Sequence, residues 1–347
     1  QKRSPEEDVH VSREPKKGLK RQHGAYSASE NHFLNDKSIV RGVAPPISDK
    51  TDSIVFEWID VDLYDGLRMK RISETEVGID MDSEKSPVVR FFGITKEGYS
   101  VCVNAHNFFG FLHPHFYISK HPNFDITTDK EDWLACISAR LQAENRKTRG
   151  RVLDVSLEKR RSIYYYHEDE EEYMKLTLQF PADVTSCRTL LAKGIAASDF
   201  KNYRARERAK QLGQPVPPPP AIQGVNLYKH EIFEAKLPFV LRFMVDNGIV
   251  GCNWLQVDPG KYRLLSAGEK QSTCQYEADV LFSDLISHST EGDFSHIAPY
   301  RIFSFDIECC AEEGGFPEPE KDAVITIANV ITEQGSTEPL FKSVFTL

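Results

Sequence analysis

The sequence predicts a mixed α/β fold of the α+β kind, with more strand than helix. Three observations point there. Segments with period-two apolar spacing outnumber segments with helical spacing. No internal repeat runs through the 347 residues. The composition, 40% hydrophobic and 27% charged, is that of a globular chain with a sizeable core, and the length accommodates two or three domains.

The elements follow in order. Residues 1–50 are polar, contain Pro45-Pro46 and lack a hydrophobic period, so a disordered tail is expected. Within it Lys16-Lys17-Gly18-Leu19-Lys20-Arg21 reads either as a nuclear-import signal or as a solvated charge run. Ile54 to Leu63 is the first strand, with Ile54, Phe56 and Trp58 on one side. Val88 to Thr95 and Tyr99 to Asn104 flank Lys96-Glu97-Gly98, a hairpin signal. His115 to Ser119 is another strand. Thr128-Asp129-Lys130-Glu131 has capping-box spacing and opens a helix with Trp133, Ile137 and Leu141 on one face. Met174, Leu176, Leu178 and Phe180 alternate as one side of a strand, and Ala182 to Ile195 then reads as a helix. Lys201 to Leu212 is a basic helical stretch stopped by Gly213 and a proline-rich linker. Phe239 to Val245, Lys261 to Leu265, Glu277 to Phe282 and Tyr300 to Glu308 are further expected strands, with Trp254 as a core anchor.

The bulk chemistry narrows the function. A net charge of −9 argues against a dedicated nucleic-acid-binding domain, so any such binding needs a local basic surface. The seven cysteines are scattered without a C-x-x-C pair, which speaks against a zinc ribbon or iron–sulfur site and for a reducing interior. Arg242 interrupts the longest apolar run, so no bilayer span or membrane partner is expected, and the charged start lacks a signal-peptide core. The chain opens on Gln1 and stops at Leu347 inside an apolar run, and both ends are expected to be internal to a longer protein.

The segment with the clearest chemistry is Ile302-Phe303-Ser304-Phe305-Asp306-Ile307-Glu308. Residues two apart on a strand share a face, about 7 Å apart along the backbone. Asp306 and Glu308 therefore project together, and Phe303, Phe305 and Ile307 are expected to enter a core. Paired carboxylates on a buried strand need a positive partner. Two divalent ions about 4 Å apart would serve, and would support phosphodiester hydrolysis. Asp-x-Glu alone is a weak signal, since Asp169-Glu170-Glu171 has the same pattern in what reads as an acidic loop.

Longer stretches add specificity. Phe305 to Cys309, followed by Gly315-Phe316-Pro317-Glu318-Pro319-Glu320 and Asp322-Ala323-Val324-Ile325, resembles the first exonuclease motif of the delta-type catalytic subunits of family-B DNA polymerases. So do Arg242 to Asp246, Gly248 to Trp254, Phe92 to Thr95, Glu97 to Cys102 and Glu277 to Leu281. The resemblance runs from about residue 54 to 347. Residues 311–315 are acidic where the family is often basic, and residues 199–223 look like an insertion. The resemblance implies a family-B N-terminal domain over 51–298, which helps hold the template strand. The first strands of a ribonuclease-H-like 3′–5′ exonuclease would occupy 299–347. It implies replicative DNA synthesis with proofreading, the chain alone being inactive. Asp306 and Glu308 would be catalytic ligands of two Mg2+ ions, with Mn2+ possible in their place. Template-primer DNA and deoxynucleotides would be substrates, with accessory subunits and a sliding clamp as partners in the nucleus. Any iron–sulfur cluster or zinc would belong to a C-terminal region outside this sequence. A non-catalytic nucleic-acid-binding or scaffold module, and another family-B polymerase, remain the alternatives.

Other candidates are weaker. Lys201, Arg204, Arg206, Arg208 and Lys210 can meet phosphates or form a solvated face. Tyr164-Tyr165-Tyr166 can stack on bases or fill a strand. His106, His113, His115 and His121 cluster without tidy ligand spacing and read as a polar loop. Cys309 and Cys310 read as packing residues at a strand end.

Overall fold

The computed structural model describes residues 42–107, 112–144, 150–162, 169–218, 227–311 and 315–347. Strands β1 (Ile54–Gly66), β2 (Met69–Ser73), β3 (Glu76–Ile79), β4 (Ser86–Thr95), β5 (Ser100–His106) and β6 (His115–Ser119) come first. Helix α1 (Ile126–Glu144), β7 (Val152–Arg160), β8 (Glu171–Leu178) and helices α2 (Pro181–Lys193), α3 (Ala197–Phe200) and α4 (Tyr203–Gln211) follow. Then come β9 (Ile232–Phe233), α5 (Phe239–Asp246), β10 (Trp254–Val257), β11 (Tyr262–Leu264), β12 (Tyr276–Leu281), β13 (Ile286–Ser287), β14 (Arg301–Cys309), β15 (Val324–Glu333) and β16 (Phe341–Thr346). The mixed, strand-rich class expected from the sequence is the class observed.

The largest sheet has seven strands in the order β11-β12-β5-β4-β1-β10-β13. The β4–β5 hairpin turns at Gly98, whose φ of +88° suits a residue without a Cβ. Thr95 N–H donates to Tyr99 O and closes the turn. In β1, Ile54, Phe56 and Trp58 face the core, and a bulge between Trp58 and Asp60 ends the alternation. Strand β12 pairs parallel with β5 and is buried at every residue. A parallel neighbour requires a long crossover. Here the crossover holds a second unit.

That unit is β6-α1-β7-β8-α2-β9, with strand order β7-β8-β6-β9, a split βαβ arrangement. Period two on the strands and 3.6 on the helices meet in one core. Phe116, Ile118, Met174, Leu176 and Leu178 pack against Trp133, Ile137, Leu141, Cys187 and Leu191. Asp125, one residue before α1, accepts from Thr127 N–H at 2.8 Å, so the helix begins slightly earlier than the capping-box spacing suggests.

Four expectations need correction. Phe239 to Val245 is helix α5, not a strand. A short apolar run is ambiguous between the two. Pro238, at φ −57°, precedes the helix, and Phe239 and Phe243, four apart, are buried on one side. Residues 42–50 are not a free tail. Gly42 O accepts from Gln275 Nε2 and Pro45 O from Tyr276 Oη, while Ala44 and Ile47 pack on the core. The four histidines do not form a polar loop. His106, His113 and His121 are buried, and burial holds His113 down to about 4. His106 lies between Leu67 O and Asp279, and among the described residues no set of three such ligands could hold a metal. Finally, Phe303, Phe305 and Ile307 do not enter a core here, being 58%, 66% and 47% exposed. The tail before residue 42, its basic cluster and the three consecutive tyrosines lie outside the described residues. Trp254 is the anchor expected, 2% exposed, with its indole N–H donating to His296 O. No helix among the described residues is long and apolar enough to cross a membrane.

Candidate active site

Strands β14, β15 and β16 form an antiparallel sheet of their own. Residues paired across an antiparallel ladder share a face. Asp306 pairs with Ala328, Glu308 with Thr326, and these with Val344 and Thr346. Asp306 and Glu308 thus stand on one face, beside Ala328 and Thr326 of the central strand. Phe303, Phe305, Ile327, Ile331 and Phe345 occupy the opposite face. The ladder shifts register between Glu308 and Cys309, so the strand bends just past the second carboxylate.

Asp306 Oδ1 accepts from the N–H of Ile307 at 3.0 Å. Neither Asp306 nor Glu308 has an ion-pair partner among the described residues. Nearby carboxylates do, as Glu318 shows with Lys321 at 2.6 Å. Two adjacent, unneutralised carboxylates supply hard oxygen ligands of the kind that Mg2+ or Mn2+ takes. They make up two ligands, and no group of three lies among the described residues.

The cations expected to meet phosphate are placed differently. Lys201 reaches Asp129 at 2.5 Å, Arg204 reaches Asp132 at 2.9 Å and Lys210 reaches Glu207 at 2.6 Å. Arg206 donates to Asp199 O at 2.7 Å, while Arg208 is exposed. Lys201 and Arg204 tie the start of α4 to α1, Arg206 bonds back to α3 and Lys210 pairs within α4, so four of the five are engaged within the protein. Cys309 ends β14 half-buried, and Cys310 is exposed beyond it. Sequence reasoning missed Arg161, Arg188 and Lys236, which are far apart in the chain and share one groove. No spacing rule could have collected them.

Comparison with known proteins gives a consistent placement. The sequence model described as DNA polymerase family B, exonuclease domain, matches residues 230–347. The one described as DNA polymerase delta catalytic subunit-like, N-terminal domain, matches residues 111–185. The DNA polymerase delta catalytic subunit of Arabidopsis thaliana is 34% identical over 310 residues, covering 87% of this chain and 25% of that protein. The Bos taurus subunit of the same name is 35% identical over 317 residues, covering 90% and 26%. Among solved structures, the family B DNA polymerase of the hyperthermophilic archaeon Pyrobaculum calidifontis is 19% identical with a TM-score of 0.47, covering 84% of this chain and 26% of that one. The chain spans about a quarter of the length of the curated relatives it matches. With both models matched along it and relatives of one name aligned to most of it, the chain belongs to the family-B DNA polymerases, with those of the delta catalytic-subunit type.

Proposed function

We propose that this chain is part of a replicative DNA-directed DNA polymerase with a 3′–5′ proofreading exonuclease, and that Asp306 and Glu308 are catalytic metal ligands of the exonuclease. The observation that carries this reading is the pair of unneutralised carboxylates on one face of β14, inside the stretch matched to a family-B exonuclease domain. When bound there, a divalent ion supplies activation of water and neutralisation of charge on the leaving oxygen. Asp306 and Glu308 bind and orient it, Mg2+ being the natural occupant and Mn2+ a substitute. The ladder to β15 keeps both carboxylates aimed to one side.

The remaining parts of the reading concern the longer protein. Template-primer DNA and deoxynucleotides are its substrates, accessory subunits and a sliding clamp its partners, and the nucleus its compartment. The domain division falls near residue 299, between the seven-stranded sheet and β14. The further carboxylates needed for cleavage and for synthesis lie outside this sequence.

Replacing both residues, Asp306→Ala with Glu308→Ala, in the full-length enzyme tests the assignment. Excision of a mismatched 3′ end should fall by at least two orders of magnitude, because loss of transition-state charge stabilisation costs that much. Nucleotide incorporation should persist. A double variant that degrades a labelled 3′ end at the wild-type rate would return the pair to a structural role in a nucleic-acid-binding module.

A further inference from the structure

Helix α4 ends on a motif that sets the direction of the chain beyond it. Gly213, at φ +64°, donates its N–H to Lys210 O at 3.2 Å, and Gln214 N–H donates to Ala209 O at 2.9 Å. This pair of bonds closes a helix C-terminus around a left-handed glycine. The helix is therefore stopped before the first proline is reached. Yet five of the six residues 215–220 are proline, the sixth being Val216. A helix stop needs one proline at most, so the run requires another reason.

Covalent sterics fix its shape. Each ring locks φ near −65°, and each residue before a proline is pushed into the extended region. Gln214, Val216, Pro217 and Pro218 all precede a proline. The backbone is thus held in a polyproline II conformation before any partner arrives, and docking it costs little ordering entropy. Residues 214–218 belong to no helix or strand, and all are exposed. Val216 is 44% exposed, and Leu212, just before the glycine, is 59% exposed.

The base of the run is held firmly. Lys201 and Arg204 tie the start of α4 to Asp129 and Asp132, and Ala209 is buried. Arg208, exposed in the last turn, has no ion pair among the described residues. The prolines present ring faces and carbonyl oxygens but no N–H. A matching surface must therefore supply flat apolar walls and hydrogen-bond donors together, which tyrosine hydroxyls and tryptophan indoles do. Pro215 and Pro218 stand three apart, one turn of polyproline II, so both lie along one edge of the run. Arg208 beside that edge favours carboxylates on the partner's rim. The competing account is a stiff spacer leading back to the bridge between Ile195 and Tyr228. A spacer needs length and stiffness but no contact with any second protein.

We propose that residues 212–218 are a docking strip for a proline-recognition domain of another protein, one whose groove is lined by tyrosine and tryptophan and rimmed by carboxylates. Pro215 and Pro218 enter the groove, Val216 packs beside them, and Arg208 meets the rim. The strip uses neither Asp306 nor Glu308, so it stands or falls separately from the exonuclease reading.

The full chain is titrated by calorimetry against three purified probes, an SH3 domain, a WW domain and an EVH1 domain. At least one should bind, and a decaproline peptide should displace the chain from it. Pro215→Ala, Pro217→Ala and Pro218→Ala combined should weaken that binding about tenfold or more, as expected for the anchoring residues of an interface. Arg208→Glu should weaken it severalfold, and less so at high salt. Both variants should melt as wild type does, because the altered side chains are exposed. If the triple variant melts lower, Pro218→Ala alone replaces it and should weaken binding severalfold. Binding by none of the three probes overturns the proposal. Unchanged affinity in a folded proline variant also overturns it and leaves the run a spacer, while unchanged affinity of Arg208→Glu overturns the acidic rim.

Discussion

At the scale of single residues, burial decides which charges are tolerated. Asp183 on α2 is 3% exposed, and burial, with the Asp65 carboxylate adding to it, pushes its carboxyl up to about 6. The folded state therefore holds a proton between the ordinary aspartate range and about pH 6 that the unfolded chain has released. That contribution to stability is fully present below about pH 4 and is lost as pH rises through 6. Asp183→Asn should melt near the wild-type temperature at pH 4 and several degrees above it at pH 8. Thermal scans at the two pH values check this, and equal melting at both would remove Asp183 as a source of strain. Asp306 and Glu308 present the opposite situation. They are exposed on β14, so no burial penalty forces a partner on them, and their pairing on one face leaves both open to solvent.

At the scale of elements, close approach of backbones limits substitution more than propensity does. Gly93 on β4 stands opposite Trp58, at the bulge in β1. A Cβ there would lie 2.2 Å from Glu57 O and 2.6 Å from a ring carbon of Phe56. Both obstacles sit in the core of the largest sheet and cannot swing away. Gly93→Ala should cost about 1–3 kcal/mol, the usual range for overpacking. Urea denaturation measures the loss, and a variant as stable as wild type would show that the bulge can shift. Helix α4 shows the converse. The basic stretch that contains it looks available in sequence, yet Lys201, just before the helix, and Arg204 bind the carboxylates of Asp129 and Asp132 on α1.

At the scale of the molecule, the segment just before β1 acts as a strap across the seven-stranded sheet. Tyr276 and Gln275 hold its carbonyls, Ile47 packs on the core, and Tyr262 Oη donates to Asp52 O at 2.9 Å. Deleting residues 42–50 should lower the thermal midpoint by several degrees, since buried apolar surface and the hydrogen bonds from Gln275, Tyr276, Gly260 and Tyr262 go with it. A deletion that melts as the intact chain does would mean that the strap adds nothing. The exposed apolar face of β14–β16 belongs to the same scale. Phe303, Phe305 and Phe345 have the alternation of a core-facing strand, but a strand pattern names a face and not what covers it.

The sequence by itself determined the strands at β1, β4 to β6, β8, β12 and β14, the helices α1, α2 and α4, and the shared face of Asp306 and Glu308. All of these rest on periodicity or capping over a few residues, which short-range geometry enforces. Only the tertiary structure decided that residues 239–246 form a helix, that residues 42–50 are tied down, and that Lys201 and Arg204 are spent on α1 while Arg161, Arg188 and Lys236 gather in one groove. Each of those outcomes depends on partners tens to hundreds of residues away, and such distances leave no periodic trace in a single sequence.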